Sequence, residues 1–384
     1  SNILIEKKSI ASDVFAKFVQ LNWGLVLLTM LSACVGFIML YSAASGSFEP
    51  WAIKQMIRFG LGFVLMLCVA LTPIHFWLRN AYFLYILCLI LIVLVEIVGT
   101  VGMGARRWID LGFVAVQPSE FMKIIIVLAL ARYFYASQLG DVKRLTHLII
   151  PLVLVLVPVF FIIRQPDLGT ALLLIASGVI IFFLAGVRFR VFVFSAIAGI
   201  AAIIPVWKYI LHDYQKARLM TFLRPDQDLL GSGYHVMQSK IALGSGGVTG
   251  KGFLAGSQSH LSFLPEMHTD FIFTMLAEEF GFIGGVVLLL LYLSMVIYGF
   301  VIALKCKNQF GRLISMGVMN VFFLNYFVNI AMVMGLLPVV GMPLPLVSYG
   351  GTSLITHMFG IGLVLCVFVN RDVNLRPGSA EIIS

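Results

Sequence analysis

The chain has 384 residues, of which 61% are apolar and 11% charged, and it carries a net charge of +9. A soluble globular protein is excluded, because no core of this size can bury that apolar fraction without leaving a very large apolar surface. Nucleic acid is excluded as a partner too, since the basic residues are scattered over short connections and are not clustered with aromatics.

Apolar runs of about 20 residues, the length that crosses a bilayer, recur along nearly the whole sequence. Hydropathy predicts an all-α polytopic membrane protein with about ten transmembrane helices, near 23–43, 54–72, 79–98, 118–136, 146–163, 168–186, 189–209, 271–303, 312–335 and 349–369. That density leaves room for a single transmembrane domain over 1–384, with one long extracytoplasmic loop, about 210–270, between helices seven and eight. No cleavable signal sequence is visible. Cys34, Cys68, Cys88, Cys306 and Cys366 lie in apolar spans or a basic connection, so no disulfide framework is expected.

An even number of spans places both ends of the chain on one side. Connections on that side hold 14 of the 26 Lys and Arg, whereas the short connections opposite hold five: Lys54, Arg58, Arg106, Arg107 and Arg164. The positive-inside rule then puts both termini in the cytoplasm and the long loop outside. Before the first span, Lys7, Lys8 and Lys17 read as a cytoplasmic flank, in which Val14, Phe15, Phe18 and Val19 have the spacing of a short surface helix.

Charges inside or beside a span need a partner or a wet cavity. Glu96 closes the third span and can snorkel. In the following segment, Arg106 and Arg107 beside Trp108 suit either an interfacial anchor or a phosphate ligand, which arginine grips with paired hydrogen bonds. Pro118, Ser119 and Glu120 open the fourth span with a proline and an acid where the helix dipole favours them. Glu120 and Lys123 share a helix face, as a self-neutralising pair or as a substrate-facing one. Asn325 and Asn329, one turn apart in the ninth span, read as helix-to-helix hydrogen bonds.

The long segment from Gly231 to Phe273 is neither apolar enough for lipid nor of disordered composition. Its GSGGVTGKG run, Gly244 to Gly252, exposes closely spaced amides beside Lys251, a phosphate-friendly composition that also describes ordinary turns. His235, His260 and His268 lack metal-ligand spacing. Asp270 is the carboxylate at which this loop meets the eighth span; it can cap that helix or act as a base. Glu278 lies roughly 80° around the helix from Asp270, with Glu279 on the opposite side, so neither forms an obvious facing pair with it. One carboxylate beside a phosphate-friendly surface suits sugar transfer from a diphosphate donor.

ARRWIDLG with QPSE and Lys123, QPDLGTA from Gln165, DYQKARLMTFLRPDQDLLGSGYHVMQSKIALGSGG, FLPEMHTDFIF with Glu278 and Glu279, and PLPLVSYGGTS from Pro343 occur in this order. Through them the chain resembles the SEDS family (shape, elongation, division and sporulation) along essentially its whole length, and its elongation branch most closely. Before Gln117 it departs, with Ala115 and Val116 where members often carry an arginine and an aromatic.

The resemblance implies ten spans and a peptidoglycan glycosyltransferase of the bacterial cytoplasmic (inner) membrane, which polymerises lipid II into β-1,4 glycan strands with inversion during elongation. It places the catalytic base on Asp270. It implies Lys240, Lys251, Arg107 and Lys123 as diphosphate contacts, with Trp108, Gln117, Glu120 and Ser245 as further lining residues. A divalent cation, Mg2+ or Mn2+, could share the charge, although no dedicated metal site is visible and no cofactor is otherwise expected. Expected partners are lipid II, a class B penicillin-binding protein acting as transpeptidase, and other membrane proteins of the elongation complex. Two rivals remain: a lipid II flippase, and a non-catalytic scaffold of the elongation or division complex.

Overall fold

The structure, a computed structural model, describes residues 14–102, 105–110, 115–137, 142, 144–211, 213–223, 232–256 and 267–375. His260, Lys143 and the parts of the long loop at 224–231 and 257–266 lie outside them.

All ten predicted stretches are helical. They form α1 (Trp23–Ala43), α2 (Ala52–Leu71), α3 (Ile74–Val98), α4 (Pro118–Ala136), α5 (Ile149–Arg164), α6 (Leu168–Leu184) and α7 (Phe189–Pro205). Two helices of the long connection follow, α8 (Asp213–Leu223) and α9 (Ser232–Ser245), before α10 (Ile272–Lys305), α11 (Gln309–Val333) and α12 (Gly351–Val369). Among the described residues, eight helical stretches are long and apolar enough to cross a membrane, α5 being counted from Leu145 and α7 to Tyr209. The exceptions are α6, with 17 residues, and α4, whose interior carries Glu120, Lys123 and Arg132.

Local signals set the helix starts. Asn22 caps α1 by accepting from Leu25 N, Asp167 caps α6 at Thr170 N, and Asn308 caps α11 at Gly311 N. Pro73, extended, separates α2 from α3. Before Trp23, residues 14–19 are helical, and Phe18 packs edge-on against Trp23 at 5.0 Å. Glu96 does not simply snorkel; it pairs with Arg164 at 3.7 Å.

The core of the bundle is α4, apolar around its circumference and buried along almost its whole length, packed against α3, α6, α11 and α12. α12 lies along α2, and α10 lies between α1 and α11. α7 buries no residue.

One feature departs from the all-helical expectation. The connection from α3 to α4 folds into a small antiparallel sheet, β1 (Thr100–Gly102), β2 (Ala105–Asp110) and β3 (Ala115–Val116), so that RRWID is a strand and not a loop. ARRWID does not alternate polar with apolar residues, so its sequence carries no strand signal between the apolar helices on either side.

Candidate active site

Asp270 stands in the turn 267–270, half-buried, immediately ahead of α10. It is not the cap of that helix: the N-cap position falls on Phe271, and no side chain bonds there. The turn is held by the segment between α11 and α12. Tyr349 N donates to His268 O at 2.8 Å, and Ser348 Oγ donates to Thr269 O at 2.6 Å. Asn329 Nδ2 donates both to Asp270 O at 2.9 Å and to Met342 O at 2.6 Å. The Asp270 carboxylate lies over Gly341, where an added Cβ would sit 3.5 Å from Oδ2 and where φ is +70°. Glycine is required there by the left-handed backbone.

Around the turn, His268 stacks on Trp51 at 4.4 Å and meets Tyr349 at 5.8 Å, while the Arg58 guanidinium lies 4.8 Å over the Tyr349 ring. Gln55, fully buried, donates to Ser348 O at 2.9 Å. Arg58, on α2, is thus separated from His268 of that turn by the Tyr349 ring.

The glycine-rich run has a different use from the one its composition offers. At Gly281, with φ 68° and ψ −162°, α10 is broken. Into the break fits 246–252: Lys251 N and Gly252 N donate to Glu278 O and Glu279 O, each at 3.0 Å, and Phe282 N and Ile283 N donate to Gly247 O and Val248 O at 2.9 and 3.1 Å. Those amides are therefore committed to main-chain carbonyls. Lys251 itself pairs at 2.7 Å with Glu278, whose side chain is fully buried, instead of presenting its charge to a phosphate.

Arg107 is likewise occupied by main chain. Its Nε donates to Gln165 O at 3.1 Å and a terminal nitrogen donates to Pro166 O, so it braces the turn into α6. Trp108 extends the same strand, half-buried. Gln117 Nε2 donates to Asp167 Oδ2 at 3.0 Å and to Ser119 Oγ at 3.1 Å. Thr352 joins in by donating to Ala115 O at 3.1 Å. These contacts edge a small, partly open cleft lined by Arg107, Asp167, Gln215 and 338–340. The stretch 338–341 thus has the cleft on one side and Asp270 on the other.

Lys123 and Glu120 are buried, 2.8 Å apart, with Lys123 also donating to Asn325 Oδ1 at 3.1 Å. The bond joins the two within the bundle, as the self-neutralising alternative expects. Ser245, exposed at the last residue of α9, donates its Oγ to Ala242 O at 2.8 Å. Lys240 is exposed, with its stem against Gly335 just past the C-terminal end of α11. Of the expected basic contacts, it alone keeps an exposed side chain without an acid or main-chain carbonyl assigned above. Among the described residues no three His, Cys, Asp or Glu side chains converge as a metal set.

Sequence reasoning missed Arg58, Gln55, Gly341 and Ser348. Arg58 entered only as a topological charge, although PLPLVSYGGTS, which holds its neighbours Tyr349 and Gly351, was in view.

Fold and site together define a polytopic helical membrane protein that fixes one carboxylate in a turn at the end of its bundle, with a cation of α2 packed on the neighbouring Tyr349. The cell-cycle protein family of FtsW, RodA and SpoVE matches residues 22–372, and the chain belongs to this SEDS family. The peptidoglycan glycosyltransferase MrdB of Escherichia coli K12 is 44% identical over 349 residues, covering 91% of this chain and 94% of that protein. Stage V sporulation protein E of Bacillus subtilis is 35% identical, covering 89% and 95%. A chain of a peptidoglycan synthase complex, described as coordinating polymerization and crosslinking, superposes with a TM-score of 0.80 at 33% identity, covering 92% of this chain and 99% of that one. The rod shape determining protein RodA of Thermus thermophilus superposes with a TM-score of 0.70 at 30% identity, covering 92% and 98%.

Proposed function

We propose that this chain is a peptidoglycan glycosyltransferase of cell elongation, joining lipid II units into β-1,4 glycan strands. The observation that carries the reading is Asp270 in a turn whose main chain is held at three successive carbonyls by Asn329, Ser348 and Tyr349, with Arg58 packed on the Tyr349 ring. A rigidly held carboxylate is what a general base requires, because its reach to one hydroxyl is then set in advance. Asp270 takes the proton of the acceptor GlcNAc 4-hydroxyl. The freed oxygen attacks the anomeric carbon of the donor from the face opposite the diphosphate, the bond to the diphosphate breaks, and the configuration inverts. Undecaprenyl diphosphate leaves with the bonding electrons, and positive charge near it lowers the barrier.

For that charge we assign Lys240 and Arg58 in place of Lys251, Arg107 and Lys123, which serve protein partners. A divalent ion sharing that charge would draw most of its ligands from substrate oxygens, since among the described residues no three His, Cys, Asp or Glu converge. The Asp270 end of the bundle faces outward, both termini are cytoplasmic, and the whole chain acts as one domain of the cytoplasmic membrane. A class B penicillin-binding protein and other elongation-complex membrane proteins are the partners.

The test is the purified protein with its transpeptidase partner and lipid II in detergent, scored for glycan polymer. Polymer from wild type and none from Asp270→Asn is expected. Polymer from Asp270→Asn at the wild-type rate would sink the base assignment, and wild type that moves lipid II across liposomes without polymerising it would favour the flippase reading.

A further inference from the structure

Glu278 and Glu279 are buried side by side in α10, and the break at Gly281 follows directly. In an unbroken helix Glu278 O would accept from Phe282 N and Glu279 O from Ile283 N. The break separates both pairs, and the glycine-rich run restores all four partners: two of its amides fill the carbonyls, and two of its carbonyls take the amides. Such exchange is needed wherever helical main chain opens at membrane depth. It also demands close approach, since a Cβ on Gly246 would collide with Ala277 O and one on Gly250 with Glu279 O.

Side chains lock the same junction. Glu278 Oε1 meets Lys251 Nζ at 2.7 Å, Ser42 Oγ of α1 donates to Glu279 Oε1, and Leu254 N donates to Glu279 Oε2 at 3.3 Å. The half-helix 272–280 is therefore pinned at both ends, by this junction and by the turn that bears Asp270. Gly281 uncouples it from the remainder of α10, so these two attachments set where Asp270 stands.

We propose that Lys251 and Glu278 are positioning residues: the ion pair between the surface lysine and the buried carboxylate latches the glycine-rich run into the broken helix and thereby fixes Asp270 relative to the acceptor. The proposal rests on the glycosyltransferase reading. Removing Lys251 alone takes the lysine from a buried carboxylate and lowers yield, whereas in Lys251→Met/Glu278→Gln neither member of the pair is charged and the protein is made normally. In that double variant kcat falls about tenfold while KM for lipid II stays within about twofold, the signature of misplaced chemistry without lost binding. Lys251→Arg keeps the pair and returns kcat to within about twofold of wild type. A raised KM at unchanged kcat would show Lys251 touching substrate and overturn the latch, as would wild-type kcat in the double variant.

Hydrogen exchange separates the latch from the reaction. Amides of 271–280 exchange faster in the double variant than in wild type and return to wild-type rates in Lys251→Arg. Unchanged exchange overturns the latch even if wild type makes no polymer, the separate result that would end the glycosyltransferase reading.

Discussion

Asn329 reaches from the middle of the bundle to the main-chain carbonyl of Asp270, and the same Nδ2 holds Met342 O. One fully buried amide therefore joins the turn that bears Asp270 to the irregular segment that carries Gly341 and Met342. What reads in sequence as a helix-to-helix contact in α11 is a support of the site.

Asn329→Ala leaves two carbonyls without their donor, at about 2 kcal/mol each for a buried unsatisfied group. The thermal midpoint should drop, and kcat should fall about a hundredfold, because a shift near 1 Å in a reacting group has that effect. Thermal unfolding in detergent and lipid II turnover check this together. A large loss of stability with undiminished kcat would show that Asn329 does not position Asp270.

The Glu120–Lys123 pair leads to a second expectation. Lys123→Met alone should destabilise by about 4 kcal/mol, since it strands a buried carboxylate. Adding Glu120→Gln should recover most of that loss. If Lys123 touched the diphosphate instead, the double variant would be stable yet show a raised KM for lipid II. The comparison of unfolding midpoint with KM decides between them.

Helix positions and the line of apolar spans were legible because hydropathy over about 20 residues is a strong local signal. The start of α4 was readable from Pro118 and Glu120 for the same local reason. The strand at Arg107–Trp108 was not, since three short strands carry little periodicity. Asp270 was reachable through its motif, yet its neighbours were not: Asn329, Gly341 and Tyr349 are 59 or more residues away in sequence and meet it only through packing. The glycine-rich run misled for a physical reason. Glycines that cradle phosphate and glycines that let main chain approach main chain have the same composition, and only the broken α10 distinguishes them.

Lys240 can be tested through Gly335. A Cβ there would overlap Lys240 Cε, so Gly335→Ala displaces the ammonium without removing it. The stability change of Lys240→Ala should stay near the roughly 0.3–1 kcal/mol of a cation at a helix C-terminus. Both Lys240→Ala and Gly335→Ala should raise KM for lipid II several-fold at similar kcat. Since Gly335 also has φ +72°, an unfolding midpoint for Gly335→Ala is needed alongside. Equal loss of yield and activity in Lys240→Ala would count against a phosphate contact.

Arg58 joins packing and charge at one residue. It lies over Tyr349, and a Cβ on Gly351 would sit 3.0 Å from its Nε, so its guanidinium is fixed beside the start of α12. A half-buried guanidinium over a ring contributes about 0.5–1 kcal/mol, which bounds the stability lost in Arg58→Ala. An effect on turnover well beyond that bound therefore reports charge delivered to the reaction. Arg58→Ala should lower kcat/KM by about a hundredfold, as expected for loss of one donor to a developing anion, and Arg58→Lys should recover only part, because a lysine keeps the charge but loses the planar stack and paired donors. Turnover of lipid II by Arg58→Ala within about threefold of wild type, at unchanged ionic strength, would remove Arg58 from the leaving-group site and leave it as a brace for Tyr349.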